Sequence, residues 1–200
     1  MLNCTTTTRL LFAKKKGLID DFNSEVCAIG FYNLQCFETL GIHKLAICHP
    51  EKTVIQKAFE LNYLTFFDLN GDKKNKIKAF DKTYINITKS RKETFFYISI
   101  GFFITKINGT IVITGDKELG IDFYLRKIGS LTNLNFFSKS HGKISFIKKT
   151  KFIPEEIKTW KNYGKYRKIC SNFYTLPGCF SEKKIDDGSN LLAKSFSKEL

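Results

Sequence analysis

Two hundred residues at 23.1 kDa suit one domain with at most a small appendage and exclude a large multidomain machine. Hydrophobic residues at 42% with 14% aromatics supply a core, which excludes a disordered chain. Lys+Arg 33 against Asp+Glu 19 leaves a formal +14, a surplus that repels itself unless a polyanion is near. Only four of the basic residues are Arg (Arg9, Arg91, Arg126, Arg167). The Lys, Phe, Ile and Asn content is what A/U-rich coding yields, so part of the Lys excess is compositional drift.

In chain order, residues 1–24 read as a basic lead-in segment. Leu10 to Ala13 is a short apolar run followed, rather than preceded, by Lys14 to Lys16, so no secretory signal is expected. Cys27, Cys36, His43, Cys48 and His49 crowd together, but no C-x2-C pair exists and Cys48 adjoins His49, so the spacing is wrong for a standard zinc finger. Reduced thiols are the default for six cysteines in 200 residues. Pro50-Glu51 followed by Val54, Ile55, Ala58, Phe59 and Leu61 predicts a helix over 50–66. Lys73, Lys74, Lys76, Lys78 and Lys82 then form a charged loop, and Asp68 to Asp72 lacks the glycine position of a calcium loop.

Residues 83–88, 94–107, 110–114, 121–128 and 143–149 read as strands rich in β-branched and aromatic residues, with Asn108-Gly109 as a hairpin turn. Pro154-Glu155-Glu156 opens a second helix expected to run to Lys168, and Pro177-Gly178 marks a turn before a polar tail. The expected fold is therefore α+β: an antiparallel meander of about five strands packed with one helix before it and one basic helix after it. The domain spans 25–175 and the tail 176–200. The longest near-apolar stretch, Phe95 to Ile104, is about half of what a membrane helix needs, so no membrane partner is expected.

Lys158, Lys161, Lys165 and Lys168 share one face of that second helix at about 100° per residue, beside Lys148, Lys149 and Lys151. With Arg167 they make a cationic strip suited to a run of phosphates, and Tyr163 and Tyr166 could stack on bases or pack inward. A solvated helix face is the competing reading. Scarce Arg argues against base-edge recognition and favours double-stranded RNA held by shape and backbone, independently of sequence.

Catalysis finds little support. Cys36 or Cys48 with His141 is the one Cys/His pairing on offer, and Asp116, Glu118 and Asp122 around a turn are the carboxylates a metal-dependent nuclease would use. No phosphate-binding glycine motif appears, so no enzyme, cofactor or metal is expected.

Leu176-Pro177-Gly178-Cys179-Phe180 resembles the minimal F-box-like signature of some plant-virus silencing suppressors. With its size, basic charge and A/U-rich coding, the chain resembles the small basic RNA-silencing suppressors of criniviruses and closteroviruses. That resemblance implies a viral counter-defence protein in the host cytoplasm or nucleus that sequesters double-stranded RNA. It also implies a ubiquitin-ligase adaptor contacted through Leu176, Pro177 and Phe180. A homodimer would lengthen the cationic surface.

Overall fold

A computed structural model describes residues 5–20, 23–66, 79–170, 173–179, 182 and 184–196. Its centre is a seven-stranded sheet built from β1 (Val26–Ile29), β2 (Leu45–Cys48), β3 (Leu64–Phe66), β4 (Phe80–Asn86), β5 (Thr105–Asp116), β6 (Asn135–Lys139) and β7 (Gly142–Lys148). The order across the sheet is β3-β2-β1-β4-β5-β7-β6. Neighbours from β3 to β5 run parallel, and β7 enters antiparallel to both β5 and β6.

Parallel neighbours cannot be joined by a tight turn, so each needs a crossover. Helices α2 (Gln35–Leu40), α3 (Lys52–Glu60) and α4 (Arg91–Ile104) supply three of them, while α1 (Thr5–Lys15) precedes the sheet and α5 (Ile121–Gly129) follows β5. Both faces are thereby covered. Strand residues alternate between two cores: Val26, Ala28, Leu45 and Ile47 pack with α1, α2 and α3 residues, whereas Cys27, Ile29, Ala46 and Cys48 pack on the other face with α4, α5 and Trp160. Strands buried on both sides read as unbroken apolar runs, as Val26–Ile29 and Leu45–Cys48 do.

The architecture is thus a doubly wound α/β sheet, and it overturns the expected α+β meander. The decisive error lies in residues 94–107. These form the buried helix α4 followed by the start of β5, because a helix apolar on every side sits wholly in a core, and β-branched content alone cannot distinguish it from a strand. A capping signal was present: the Ser90 hydroxyl accepts from the Glu93 amide at 3.4 Å, the Ser-x-x-Glu pattern of a helix start. Residues 121–128 likewise form α5, whose buried residues Ile121, Tyr124, Leu125 and Ile128 follow helical spacing.

Asn108-Gly109 makes no hairpin. It lies within β5, where pairing to β4 jumps from Phe80↔Thr105 to Lys82↔Thr110. Asn108 takes φ 65°, and a Cβ on Gly109 would meet the Asp81 carbonyl at 2.5 Å, so the pair forms a bulge that β4 packs against. The first predicted helix is shorter than expected, since α3 ends at Glu60 and β3 begins at Leu64.

The second predicted helix is also cut short. Helix α6 spans only Glu155–Trp160, a 3-10 turn follows over Lys161–Gly164, and β8 (Arg167–Cys170) pairs with β9 (Phe173–Thr175) in a separate ribbon. Trp160 anchors that turn by stacking on Phe95 at 4.4 Å, and Gly164 lies so close to the Phe96 ring that any side chain there would collide with it. Helix α7 (Asp187–Phe196) occupies the C-terminal segment.

Helix α1, within the segment read as a lead-in, is locked onto the sheet by Arg9. Its fully buried guanidinium donates to Thr114 Oγ1 at 2.9 Å, Asp116 Oδ1 at 2.7 Å, the Ser140 carbonyl at 3.0 Å and Thr6 Oγ1 at 3.0 Å. Removing one partner of such a buried pair costs more than the pair contributes, because the other polar groups lose their partners. Arg9→Met is expected to destabilise the fold by about 3 kcal/mol. A melting temperature lowered by about 6–12 °C in a calorimetric scan is the matching readout.

Candidate functional site

In an open α/β sheet, ligands bind outside the carboxyl ends of the strands, where the order of connections reverses. Here that point lies between β1 and β4: the chain winds outward to β2 and β3 on one side and to β5 on the other. Three loops meet there, Gly30–Leu34 after β1, His49–Glu51 after β2 and Ile87–Ser90 after β4.

The loop after β1 carries one glycine. Gly30 takes φ 74°, and a Cβ on it would meet the Asn86 carbonyl at 2.9 Å and the Tyr97 ring at 3.0 Å. Its amide donates to the Cys48 carbonyl at 3.1 Å, and Asn86 Nδ2 donates to its carbonyl at 3.4 Å. The next residues are bulky. Phe31 and Leu34 are buried, with Phe31 edge-on to Phe37 at 4.9 Å.

Tyr32 closes the gap toward β2. Its ring meets the His49 ring edge-on at 4.4 Å, and its hydroxyl donates to Glu51 Oε1 at 2.7 Å. That bond pushes the Tyr32 phenol up to about 12. His49 is buried and its Nδ1 accepts from the Glu51 amide at 3.1 Å, which places the proton of the neutral ring on Nε2. Burial holds its pKa below the ordinary 6.5. On the α4 side, buried Tyr97 donates to Glu93 Oε1 at 2.8 Å, and burial raises its pKa.

The rim of the crevice is thus bridged by side chains that bond to one another, with Tyr32 and Glu51 exposed to solvent. Each carboxylate at its rim accepts from a tyrosine through Oε1, Glu51 from Tyr32 and Glu93 from Tyr97.

Sequence reasoning missed this constellation of Tyr32, His49, Glu51, Asn86, Glu93 and Tyr97, because residues 27–49 read only as a zinc site with the wrong spacing and no parallel sheet was expected to bring the three loops together. Two four-residue apolar runs, each followed by a helix, were the available signal. Among the described residues, no group of three His, Cys, Asp or Glu side chains could hold a metal.

The predicted site residues are scattered. Lys148, Lys151, Lys158, Lys161, Lys165, Arg167 and Lys168 are exposed, but with α6 ending at Trp160 the four spaced lysines fall on a helix, a 3-10 turn, a loop and a strand instead of one helix face. Lys149 departs further. It is buried, its ammonium donates to the Thr150 carbonyl, and desolvation lowers its pKa, so it offers nothing to a phosphate. Lys158 is held by Glu155, and Lys161 lies 5.0 Å from the Phe103 ring centroid. Lys73, Lys74, Lys76 and Lys78 lie outside the described residues.

The catalytic alternatives come apart. Cys48 on β2 and His141 beside β7 are separated by β1, β4 and β5. Asp116 is paired with Arg9 and Asp122 with Lys143, Glu118 is exposed, and the three do not form a group that could hold a metal ion. In the adaptor segment Pro177 is buried and Leu176 half-buried, while Phe180 lies outside the described residues. Among the described residues, no helix is long and apolar enough to cross a membrane.

No family model matches the chain. It is 29% identical over 142 residues to the ribosomal RNA small subunit methyltransferase C of Buchnera aphidicola subsp. Cinara cedri, a match that covers 66% of this chain and 38% of the relative. Among solved structures it resembles the T. thermophilus 16S rRNA N2 G1207 methyltransferase RsmC, in complex with AdoMet and guanosine. The TM-score is 0.70 at 14% identity, over 100% of this chain and 53% of that one. It also resembles the N-methyltransferase NodS from Bradyrhizobium japonicum bound to S-adenosyl-L-homocysteine, with TM-score 0.53, 11% identity, and coverage of 74% and 86%. The chain thus has a Rossmann-like methyltransferase fold and spans about half or less of the two RNA-modifying relatives' length.

These likenesses overturn three expectations: the viral silencing suppressor, the chain without catalysis, and the nuclease or adaptor module as alternatives. A five-residue Leu-Pro motif is short enough to arise in unrelated chains, whereas the 29% identity to the Buchnera enzyme extends over 142 residues.

Because folding keeps His49 neutral, the unfolded chain binds the extra proton, so stability rises with pH across the histidine range. Denaturation midpoints should climb from pH 5 to 7.5 in the wild type. His49→Asn should flatten that slope in the same urea titrations, and an unchanged slope would place the titrating group elsewhere.

Proposed function

We propose that the chain works as part of a methyltransferase of small-subunit ribosomal RNA, an enzyme that moves a methyl group from S-adenosylmethionine to N2 of a guanosine. The observation that carries this reading is the shared sheet, β3-β2-β1-β4-β5-β7-β6 with β7 reversed, matched over the whole chain by an RNA N2-guanine methyltransferase. The identity of 29% to a second small-subunit enzyme supports it, and the +14 charge suits an RNA substrate.

This chain's own crevice does not fit S-adenosylmethionine. A nucleoside ligand at the switch point needs glycines that let it approach the backbone, and a carboxylate free to take the ribose hydroxyls. Gly30 is followed by Phe31, Tyr32, Asn33 and Leu34, the space over it is filled by Tyr97 and Asn86, and Glu51 is held by Tyr32. Buried His49 stands where β2 ends. No transfer step is therefore assigned to these residues.

Two measurements check the reading. Mass spectrometry of nucleosides from small-subunit rRNA should show the loss of one N2-methylguanosine when the gene is disrupted and its return on re-expression. An identical methylation pattern would overturn the function. Calorimetric titration of S-adenosylmethionine into the 200-residue chain should release no binding heat, and a saturable isotherm would overturn the account of the closed crevice.

A further inference from the structure

We infer that the chain self-associates through the outer edge of β6, where two copies pair antiparallel about a two-fold axis at Phe137 and join their sheets into one. The inference makes no use of the ribosomal RNA reading.

Strand β6 ends the sheet on one side, and all five of its residues, Asn135 to Lys139, are exposed. The turn that joins it to β7 fixes which of its backbone groups face out. Ser140 and His141 form a two-residue turn with φ 49° and 53°, so Lys139 and Gly142 exchange hydrogen bonds across it. Antiparallel pairs then alternate, which turns Asn135 and Phe137 toward β7 and points the N–H and C=O groups of Phe136 and Ser138 away from it. The far side of β7 agrees. The Lys149 amide donates to the Gly109 carbonyl at 2.9 Å, so odd-numbered residues there bond to β5 and even-numbered ones to β6.

Proteins guard an open edge with charge, proline or a bulge. This edge has none of them in place. No proline or glycine interrupts Asn135–Lys139, and its register to β7 is unbroken. Its single ammonium, on Lys139, is drawn back toward α1, 5.7 Å from the Phe12 ring centroid. On the opposite face Lys143 is held by Asp122 at 2.5 Å. What the edge shows to solvent is Phe136, 48% exposed on the α5 face beside Lys143, and Phe137, 37% exposed on the α1 face beside Phe146.

The occupant that fits is a second copy, because the strand is complementary to itself. Pairing about Phe137 sets Phe136 of each copy opposite Ser138 of the other, so the outward groups of both residues meet as hydrogen-bonded pairs. It is also the register that uses all five residues. Phe137 then faces its own copy in the close, non-hydrogen-bonded position on the dyad. Lys139 faces Asn135, so no like charges stand opposite one another. The +14 on each copy opposes the contact at long range, so salt should strengthen this association, whereas it weakens any association bridged by nucleic acid.

Sedimentation equilibrium of the full chain, treated with ribonuclease, tests the inference. The average mass should climb with concentration from 23.1 kDa toward twice that value. The climb should be steeper at about 1 M than at about 0.1 M salt, because the screening length falls from about 10 to about 3 Å. Phe137→Lys, which sets two ammonium groups face to face, should weaken the dimer at least about tenfold. Ser138→Pro removes an outward N–H without touching the β7 ladder, and should weaken it as much while leaving the melting temperature unchanged. In a Cys179→Ser background with oxidised glutathione, Phe137→Cys should form a disulfide-linked dimer, since the Cα atoms of such a facing pair stand about 4.5 Å apart. Lys139→Cys, roughly 14 Å from its copy in this register, should not. A monomer at every concentration, a dimer that salt dissolves, a loss of less than about threefold in both substituted chains, or equal cross-linking from position 139 would overturn the inference.

Discussion

The parallel pairing of β1 with β4 is the constraint on which the rest of the molecule depends. Strands that run the same way side by side must be joined over the face of the sheet, so the segments between them become helices and both faces are buried. That forces residues 94–104 into a core helix despite their strand-like composition. It also brings the loops after β1, β2 and β4 to a single point. Had the same apolar runs paired antiparallel, short turns would have sufficed, and no switch point would exist.

At that point the protein has spent its space on itself. A site that receives a nucleoside needs backbone left bare and polar groups left unpaired, and both cost stability. Here Tyr32 and Tyr97 satisfy Glu51 and Glu93, His49 is buried neutral, and Asn86 secures Gly30. Each of these contacts engages a polar group at the switch point. A methyltransferase fold and a methyl-donor site are separable properties, since the first is set by strand order and the second by a few loop residues.

The positive charge follows a related logic. The cations are not gathered on one helix, because α6 stops where Trp160 and Gly164 dock against α4. Past that stop the chain passes through Lys165 and Tyr166 into a ribbon that carries Arg167, Lys168 and the exposed Tyr174. Some cations are taken out of service: Arg9 fastens α1 to β5, Lys143 holds Asp122, and Lys149 is buried. Net charge is thus a property of composition, while the charged surface left to solvent is decided by which side chains the packing leaves outside.

The sequence alone determined that the chain is globular and cationic, that Phe80–Asn86 and Gly142–Lys148 lie near strands, and that helices begin close to Pro50 and Pro154. It also carried unread signals, the Ser90–Glu93 cap and the helical spacing of Ile121, Tyr124, Leu125 and Ile128. Only the tertiary structure decided that residues 94–104 are helical, that Asn108-Gly109 makes a bulge rather than a turn, and that Tyr32 reaches Glu51. The reason is physical. A residue's local preference is worth a few tenths of a kcal/mol to about 1 kcal/mol, whereas burying an apolar side chain is worth about 2 kcal/mol, so partners distant in sequence settle whatever local preference leaves ambiguous.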